Sequence, residues 1–320
     1  MNGLWLTFLA VVGASLLATA PPASADEGAS ASASASARAA TEGRTMLARF
    51  STSYGHDAEH KARASNVELA AEAINGKVIS AGGTFSFNEA VGERTAAFGY
   101  AKSIVLRDGM LAEGTGGGAC QVASTLHAAA LLGGLDVVAR APHSRPSAYI
   151  RMGLDATVAM GAGSPSIDLK LKNPTATAVA IHARAARGSL EIWIDGAGAT
   201  RPDVSLTSEI IERMTFSRVV ERDRRAKEDV VRVKAFGIPG YRIKRTREIR
   251  GADGAVKRDV RIDLYAPTNE IVEVAPSFDE SSITLRDAVS TGVVRPVLVQ
   301  LRPSTVVTLD NAPGEGSPKE

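Results

Sequence analysis

The chain has one cysteine, Cys120, among its 320 residues, and this limits the folds that it can form. No disulfide can form within the chain, so a folded state must rest on a buried apolar core. Hydrophobic residues make up 44% of the chain and charged residues 22%, which provides such a core and excludes a wholly disordered chain. Aromatic residues make up only 5%, which disfavours a base-stacking surface for nucleic acid.

The N-terminus has the pattern of a secretion signal. An apolar run from Leu4 to Ala20 precedes two prolines and then Ala23-Ser24-Ala25, which has the small-x-small form that a signal peptidase cleaves. We therefore expect residues 1–25 to be a signal peptide, and the protein to be exported to the cell envelope without a membrane span after cleavage. An uncleaved anchor is the alternative, because a run of this length nearly spans a bilayer.

Composition divides the remaining chain into four parts. Residues 26–43 are mostly Ala and Ser, with too few large apolar side chains to fold, and are interpreted as a linker. Residues 44–200 are predicted to form the first folded domain and residues 201–309 a basic β-rich module. Residues 310–320 form a polar tail.

Hydrophobic periodicity predicts an α+β fold, in which a mixed domain has a Gly-rich loop leading into a central helix and an antiparallel sheet, and a small C-terminal β module follows. One helix is expected after an N-cap at Ser65 or Asn66, ending at Asn75-Gly76, and the central helix over residues 121–132. The expected strands are a short one at 84–88, a hairpin around Asp108-Gly109, and strands near 167–171, 178–183 and 190–194.

A basic ribbon is predicted in the second module. Residues 212–262 contain 16 Lys or Arg against 8 Asp or Glu, and alternating strands over 241–249 and 256–264 flank the turn at 252–254. Such a ribbon is either solvated on its Arg-rich face or binds an anionic envelope polymer or lipid head groups. The sequence leaves both interpretations open.

The one cysteine lies where Gly116-Gly117-Gly118 leads into the central helix. Unpaired N–H groups and the positive end of the helix dipole stabilise an anion there, so they favour a thiolate at Cys120 and an oxyanion beside it. The glycines would let a substrate approach closely, and Gln121 is a second, weaker candidate for an oxyanion donor. Alternatively, Cys120 is a small buried apolar residue and the glycines form only a turn.

A nucleophilic thiol needs a base, and His143 is the favoured histidine. It lies between two prolines and precedes Asp155 by twelve residues, whereas His127 is two helical turns from Cys120 and cannot touch its sulfur. The order Cys120, His143, Asp155 resembles that of papain-like, transglutaminase-like and NlpC-type thiol enzymes, in which a carboxylate orients the imidazole. Each residue also has a structural interpretation, such as an ion pair between Arg145 and Asp155.

Other candidates concern ligands. Arg145 and Arg151 could receive a substrate carboxylate through bidentate contacts. His56 and His60 have spacing suited to zinc but no evident third ligand, so neither a metal nor a cofactor is expected.

Several long blocks resemble the VanW family, which is named for an accessory protein of some vancomycin-resistance clusters. They lie between about Arg49 and Asp195 and include STSY, NVELAAEAINGKVI, GGTFSFNEAVGERTAAFGY, GGGACQVASTL and APHSRPSAYIRMGLDATV. The resemblance implies an exported or membrane-anchored envelope protein but no particular reaction. The region from about Val230 to Val274 resembles a small glycine-named β module of wall-associated proteins, although its glycines are sparse.

Two functions follow as hypotheses. In the first, Cys120, His143 and Asp155 form a thiol enzyme that acts on amides or esters of peptidoglycan stem peptides, by hydrolysis or transfer. In the second, the protein is a non-catalytic envelope module that binds peptidoglycan, another anionic envelope polymer or a protein partner. Oxidant sensing by Cys120 ranks third, because nothing else resembles a resolving group.

Overall fold

The computed structural model describes residues 43–107, 110–160, 166–228, 230–279 and 299–301. These residues belong to one compact unit that begins at Gly43. The predicted signal peptide, the linker up to residue 42, the polar tail and the Asp108-Gly109 turn lie outside the described residues. Within the described ranges, no helix combines the length and apolar character needed to cross a membrane.

The described residues form three α-helices and sixteen strands. The α-helices are α1 (Lys61–Ile74), α2 (Phe87–Val91) and α3 (Ala119–Leu132), with a 3-10 turn at Ala96–Phe98. The first nine strands are β1 (Arg44–Ser53), β2 (Val78–Ile79), β3 (Thr84–Ser86), β4 (Lys102–Arg107), β5 (Met110–Thr115), β6 (Asp136–Ala139), β7 (Lys170–Lys172), β8 (Val179–Ala186) and β9 (Ser189–Ala197). The later strands are β10 (Asp203–Met214), β11 (Arg218–Arg222), β12 (Arg232–Ala235), β13 (Gly240–Arg250), β14 (Val256–Tyr265), β15 (Glu270–Val274) and β16 (Val299–Leu301).

The strands of the described chain form five sheets, and most pairs are antiparallel. The orders are β1-β9-β8-β2, β3-β7-β6, β4-β5, β14-β13-β10-β16 and β11-β15-β12, with β11 and β15 parallel. The predicted α+β class is therefore only a coarse description, because strands greatly outnumber helices. Strands as short as β2 or β7 show no readable period in the sequence, and this is why periodicity underestimates the sheet content.

Helix α3 is the centre of the first domain, as predicted. Thirteen of its residues are buried, since Ala, Leu and Val fill its whole circumference rather than one stripe. It packs against α1 and against β1 and β9 of the four-stranded sheet. The helix begins at Ala119, two residues before the predicted start, so Cys120 lies in its first turn.

Helix α1 begins four residues before the nearer predicted N-cap. Lys61 to Ala64 are good helix formers, so the helix extends through Ser65 and Asn66 and starts after His60. Asn66 is buried, and its amide nitrogen donates to the carbonyls of Ala101 and Gly117 at 3.0 Å each. It therefore ties the glycine loop to α1. The predicted end is confirmed, with Asn75 as C-cap and Gly76 at φ 75°.

The other local predictions are mostly confirmed. Phe85 and Phe87 are both buried, although the strand ends at Ser86 and Phe87 begins α2. Strands β4 and β5 pair as a hairpin with Arg107 opposite Met110. The strand expected near 167–171 is shorter and starts at Lys170.

The basic ribbon is confirmed as a pair of long antiparallel strands, β13 and β14, in which Tyr241 lies opposite Tyr265. One face of the ribbon is buried, contrary to a wholly solvated interpretation. Arg245, Arg247 and Asp263 are at most 3% exposed, and Tyr265 is completely buried. Buried charges of this kind need partners, and the partners lie in the first domain.

Several contacts attach the ribbon to the first domain, and three of them show where it packs. The guanidinium of Arg247 donates to the carbonyl of Leu135 at 2.6 Å, just after α3. The Tyr265 hydroxyl accepts from the Gly153 amide at 2.7 Å and donates to the carboxylate of Asp155. The ribbon is thus packed on the loop that contains Asp155.

Replacing Tyr265 tests this attachment. Tyr265→Phe keeps the ring but removes a hydrogen bond to a buried charge, so the free energy of unfolding should fall by about 1.5–3 kcal/mol. Tyr241→Phe, on the opposite residue of the ribbon, should change it by less than about 0.5 kcal/mol. Urea denaturation of both variants measures the difference. Equal losses in the two variants would contradict the proposed attachment.

Candidate functional site

The thiol of Cys120 lies between the first turn of α3 and an extended segment, residues 154–158. Its sulfur is 3.4 Å from both the amide nitrogen and the carbonyl oxygen of Val158. One turn further on, Ser124 Oγ accepts from the Ala156 amide at 2.9 Å, and then His127 Nδ1 donates to the Leu154 carbonyl at 2.7 Å. One face of α3 is therefore aligned with the even-numbered residues of the segment.

Asp155 occupies the opposite side of the same segment, because alternate residues of an extended chain point in opposite directions. Its carboxylate is 1% exposed and binds the loop that contains His143. Oδ2 of Asp155 accepts from the His143 amide and from His143 Nδ1, both at 2.7 Å. Since a carboxylate only accepts, Nδ1 carries the proton, and Nε2 is the nitrogen directed elsewhere.

The other oxygen of Asp155 is also fully engaged. It accepts from Arg140 Nη2 at 2.9 Å and from the Tyr265 hydroxyl. Arg140 in turn donates to Asp263 of the ribbon at 2.5 Å. Burial raises the pKa of Asp155, but the hydrogen bonds of His143 and the charge of Arg140 lower it more, so this carboxyl stays ionised. The ion-pair partner of Asp155 is thus Arg140, whereas the sequence suggested Arg145.

Cys120 and His143 shift each other's pKa in opposite directions. Burial raises the pKa of Cys120, but the side chain and positive charge of His143 lower it by more, and the Val158 amide and Arg94 lower it as well. Burial lowers the pKa of His143, but Asp155 and Cys120 raise it to about 9. The site therefore favours a thiolate beside an imidazolium. Nε2 of His143 also lies 3.3 Å from the Tyr149 hydroxyl.

The glycine loop is shaped by contacts with its own chain. Gly116 and Gly118 have φ of 82° and 118°, conformations that L residues rarely adopt. A Cβ on Gly117 would lie 2.4 Å from the Ile104 carbonyl oxygen. All three glycines are therefore needed for packing, whether or not a substrate approaches them.

The loop leaves one amide beside the sulfur without a backbone partner. The amides of Ala119 and Gln121 donate to Gly116 and Gly118 at 3.3 and 3.0 Å. Across the described residues, no backbone carbonyl accepts from the amide of Cys120. This N–H can therefore donate to an oxygen of a bound group.

Other predicted residues lie apart from the thiol or without a defined partner. The side chain of Gln121 is directed to β1, where its amide donates to Thr52 Oγ1 at 2.9 Å and to the Ser53 carbonyl at 2.8 Å. Arg145 and Arg151 are half-buried and form no ion pair with any described residue. His60 binds Asp57 at 2.7 Å, and no cluster of three or more His, Cys, Asp or Glu is found in the described ranges.

His127 does not contact the thiol, as expected, but it contacts the ribbon. It is completely buried, and its Nε2 lies 3.3 Å from Arg245 Nη1 of the ribbon. Burial and the charges of Arg140 and Arg245 hold its pKa well below the ordinary value, so the ring is neutral.

Sequence reasoning missed Arg140, Tyr149, Asp263 and Tyr265. Local patterns carry no signal for the contacts of Arg140 with Asp263, because 123 residues separate them. Along β14 the pattern is misleading. Val260, Ile262 and Leu264 are 49%, 56% and 51% exposed, whereas the alternate residues Asp263 and Tyr265 are buried.

Comparison with known proteins concerns mainly the first domain. Residues 62–194 match the family model described as "VanW like protein". Over 149 residues the chain is 39% identical to the "Uncharacterized protein YoaR" of Bacillus subtilis (strain 168), covering 47% of each chain. Over 115 residues it is 33% identical to the "Vancomycin B-type resistance protein VanW" of Enterococcus faecalis (strain ATCC 700802 / V583), covering 34% of this chain and 40% of that protein. The matches thus span less than half the length of these curated relatives.

One solved structure concerns a shorter part of the chain. The "IgA1 Protease G5 domain structure" is 24% identical and covers 24% of this chain and 93% of that one, with a TM-score of 0.18. A TM-score of this size does not establish a shared fold. The glycine-named β module over residues 230–274 therefore stays a prediction.

The opposite pKa shifts predict how the thiol reacts with a neutral alkylating reagent across pH. Iodoacetamide should modify Cys120 with an apparent pKa below the ordinary thiol value of about 8.5. His143→Ala removes the positive charge that lowers the pKa of Cys120 but leaves the thiol buried, so the apparent pKa should rise above that value. His60→Ala, at an exposed histidine, should leave the profile unchanged. A thiol that reacts only after denaturation, or identical profiles in the wild type and His143→Ala, would contradict the thiolate assignment.

Proposed function

Residues 62–194 are similar to the VanW family, and from that premise we propose that this chain is an exported envelope protein of the VanW family with a thiol acyl-transfer site. Cys120 is the nucleophile, His143 carries the proton and Asp155 orients the imidazole. The observation that supports this most strongly is the 2.7 Å contact between His143 Nδ1 and Asp155, which leaves Nε2, beside the Tyr149 hydroxyl, as the nitrogen that can exchange a proton with the thiol.

The chemistry follows from these positions. The Cys120 thiolate attacks a carbonyl carbon, a C–S bond forms, and the electron pair of the C=O bond moves to oxygen. When that pair returns, the C–N or C–O bond breaks, and His143 Nε2 donates its proton to the leaving amine or alcohol. Water or an amine then attacks the thioester, with Nε2 accepting the proton, and the thiolate leaves.

The oxyanion of this intermediate has a donor close to the sulfur. The Cys120 amide lies at the N-terminus of α3, where the helix dipole also favours negative charge. A fixed donor of this kind needs no reorganisation when the charge develops, and removing one oxyanion donor from a serine protease costs about 2.7–4 kcal/mol.

Peptidoglycan stem peptides are the substrate class that we propose. They contain amide bonds and free carboxylates, and they lie where an exported protein would meet them. Two features support an envelope location, namely the secretion pattern of residues 1–25 and the similarity to the vancomycin resistance protein of Enterococcus faecalis.

A second function, a non-catalytic module that binds an anionic envelope polymer, is favoured by the charge of the ribbon region. Residues 212–262 contain 16 Lys or Arg against 8 Asp or Glu. Several exposed cations are nevertheless paired within the protein, such as Arg258 with Glu248 at 2.6 Å and Arg242 with Glu212 at 2.6 Å. These pairs reduce the charge that remains for a polymer, so we rank this function second.

Soluble stem peptides separate the two functions. The wild type should cleave or transfer an acyl group and form a thioester on Cys120, visible by mass spectrometry after acid quenching. Cys120→Ala should abolish both products, and His143→Ala should slow turnover by at least about 10²-fold. His60→Ala is the matched control.

Peptidoglycan pull-down with the same variants completes the test. Unmodified peptides and equal binding of the wild type and Cys120→Ala would refute the enzyme and support the binding module. Circular dichroism of each variant verifies that its fold is retained, so that a loss of turnover is not a loss of structure.

A further inference from the structure

Two arginines from different parts of the first domain lie beside the thiol. Arg63 is on α1, and its guanidinium carbon is 5.7 Å from the centroid of the Tyr149 ring, whose hydroxyl contacts His143. Arg94 follows α2 and packs on the glycine loop, so closely that a Cβ on Gly116 would be 2.7 Å from the Cβ of Arg94. Arg94 therefore borders the loop that leads into Cys120, and Arg63 borders the tyrosine that contacts His143.

Neither guanidinium has a full set of partners. Arg94 Nη1 donates to Asn88 Oδ1 at 3.1 Å and to the Gly92 carbonyl at 3.3 Å, but Nη2 is buried without a hydrogen-bond partner. In the described part of the chain, neither Arg63 nor Arg94 forms a salt bridge. Burying a guanidinium nitrogen without a hydrogen-bond partner is unfavourable in free energy. This favours a bound ligand that accepts a hydrogen bond from Nη2.

The acidic side chains near these arginines already have other hydrogen-bond partners. Asp168 is the acid whose charge acts on Arg94, and its oxygens accept from Ser86 Oγ at 2.6 Å and the Asn88 amide at 2.9 Å. Asp155 is held by Arg140 and His143. Burial lowers the pKa of both Arg63 and Arg94, because neither guanidinium has a paired counter-charge. The charge of the Cys120 thiolate is among the few that raise these pKa values.

We propose that Arg94 and Arg63 form an anion subsite beside Cys120 that receives a carboxylate on the acyl part of the substrate. This inference rests on the proposed thiol chemistry and narrows its substrate class to amides or esters with a free carboxylate near the scissile carbonyl. A planar guanidinium suits a carboxylate because two N–H groups can donate in parallel. The sequence suggested Arg145 and Arg151 for this role, and the experiment below separates the two assignments.

Two alkylating reagents of similar size but different charge test the subsite. Iodoacetate and iodoacetamide both transfer a carbon to the thiolate, forming a C–S bond and releasing iodide, but only iodoacetate carries a carboxylate. The measured quantity is the rate constant of iodoacetate divided by that of iodoacetamide at the same pH. Because both reagents attack the same thiolate, the thiolate fraction cancels, and a changed pKa of Cys120 does not affect this ratio. In the folded protein the ratio should exceed its value in urea by about fivefold or more at low salt, and it should fall as salt is added.

Substitutions assign the subsite to particular residues. Arg94→Gln and Arg63→Gln should each lower the ratio, and the double variant should bring it to the denatured value. Arg184→Gln, at an exposed arginine of β8, should leave it unchanged. A ratio that falls in Arg145→Gln or Arg151→Gln but not in Arg94→Gln would overturn the assignment.

The failures of the two proposals are distinguishable. Rapid alkylation by iodoacetamide below pH 7 without any preference for iodoacetate would refute the anion subsite but would still support the thiol chemistry. Slow alkylation by both reagents in the folded protein would refute the thiol chemistry, and the subsite with it.

Discussion

The buried carboxylate of Asp155 is the constraint on which the site depends. A charge at this depth is stable only if its oxygens accept enough hydrogen bonds, and Asp155 receives them from His143, Arg140 and Tyr265. These donors come from the loop after β6, the end of β6 and the last residue of β14. Removing one donor leaves a buried charge incompletely paired, which costs more than the interaction itself contributes.

The same constraint connects the ribbon to the thiol. Tyr265 donates directly to Asp155, and Asp263 is linked to Asp155 through Arg140. Asp155 in turn fixes the ring of His143, whose charge lowers the pKa of Cys120. The ribbon, expected from its charge either to be solvated or to bind an anionic partner, therefore supplies part of the electrostatic support of the site. Only the exposed charge that is not paired within the protein remains for a polymer, so the support of the site is the better supported role of this element.

Local patterns predict much of this fold. The central helix, the two hairpins and the turn glycines follow from periodicity and φ requirements, and the spacing of His143 and Asp155 correctly pairs them. The start of α1 was wrong because Asn66 resembles an N-cap, whereas its amide binds a loop 51 residues away. The inward face of β14 could not be predicted, because there Asp263 and Tyr265 are buried and the aliphatic residues are exposed. Long-range ion pairs of this kind have no periodicity.

The most direct test of the account is the protonation of His143, followed by NMR of the protein labelled with ¹⁵N in its histidines. We predict that this imidazole stays doubly protonated far above the ordinary pKa of about 6.5, loses a proton near pH 9, and titrates at lower pH in Cys120→Ala. A ring of His143 that is neutral at pH 7.5, or whose titration is the same without the thiol, would contradict it.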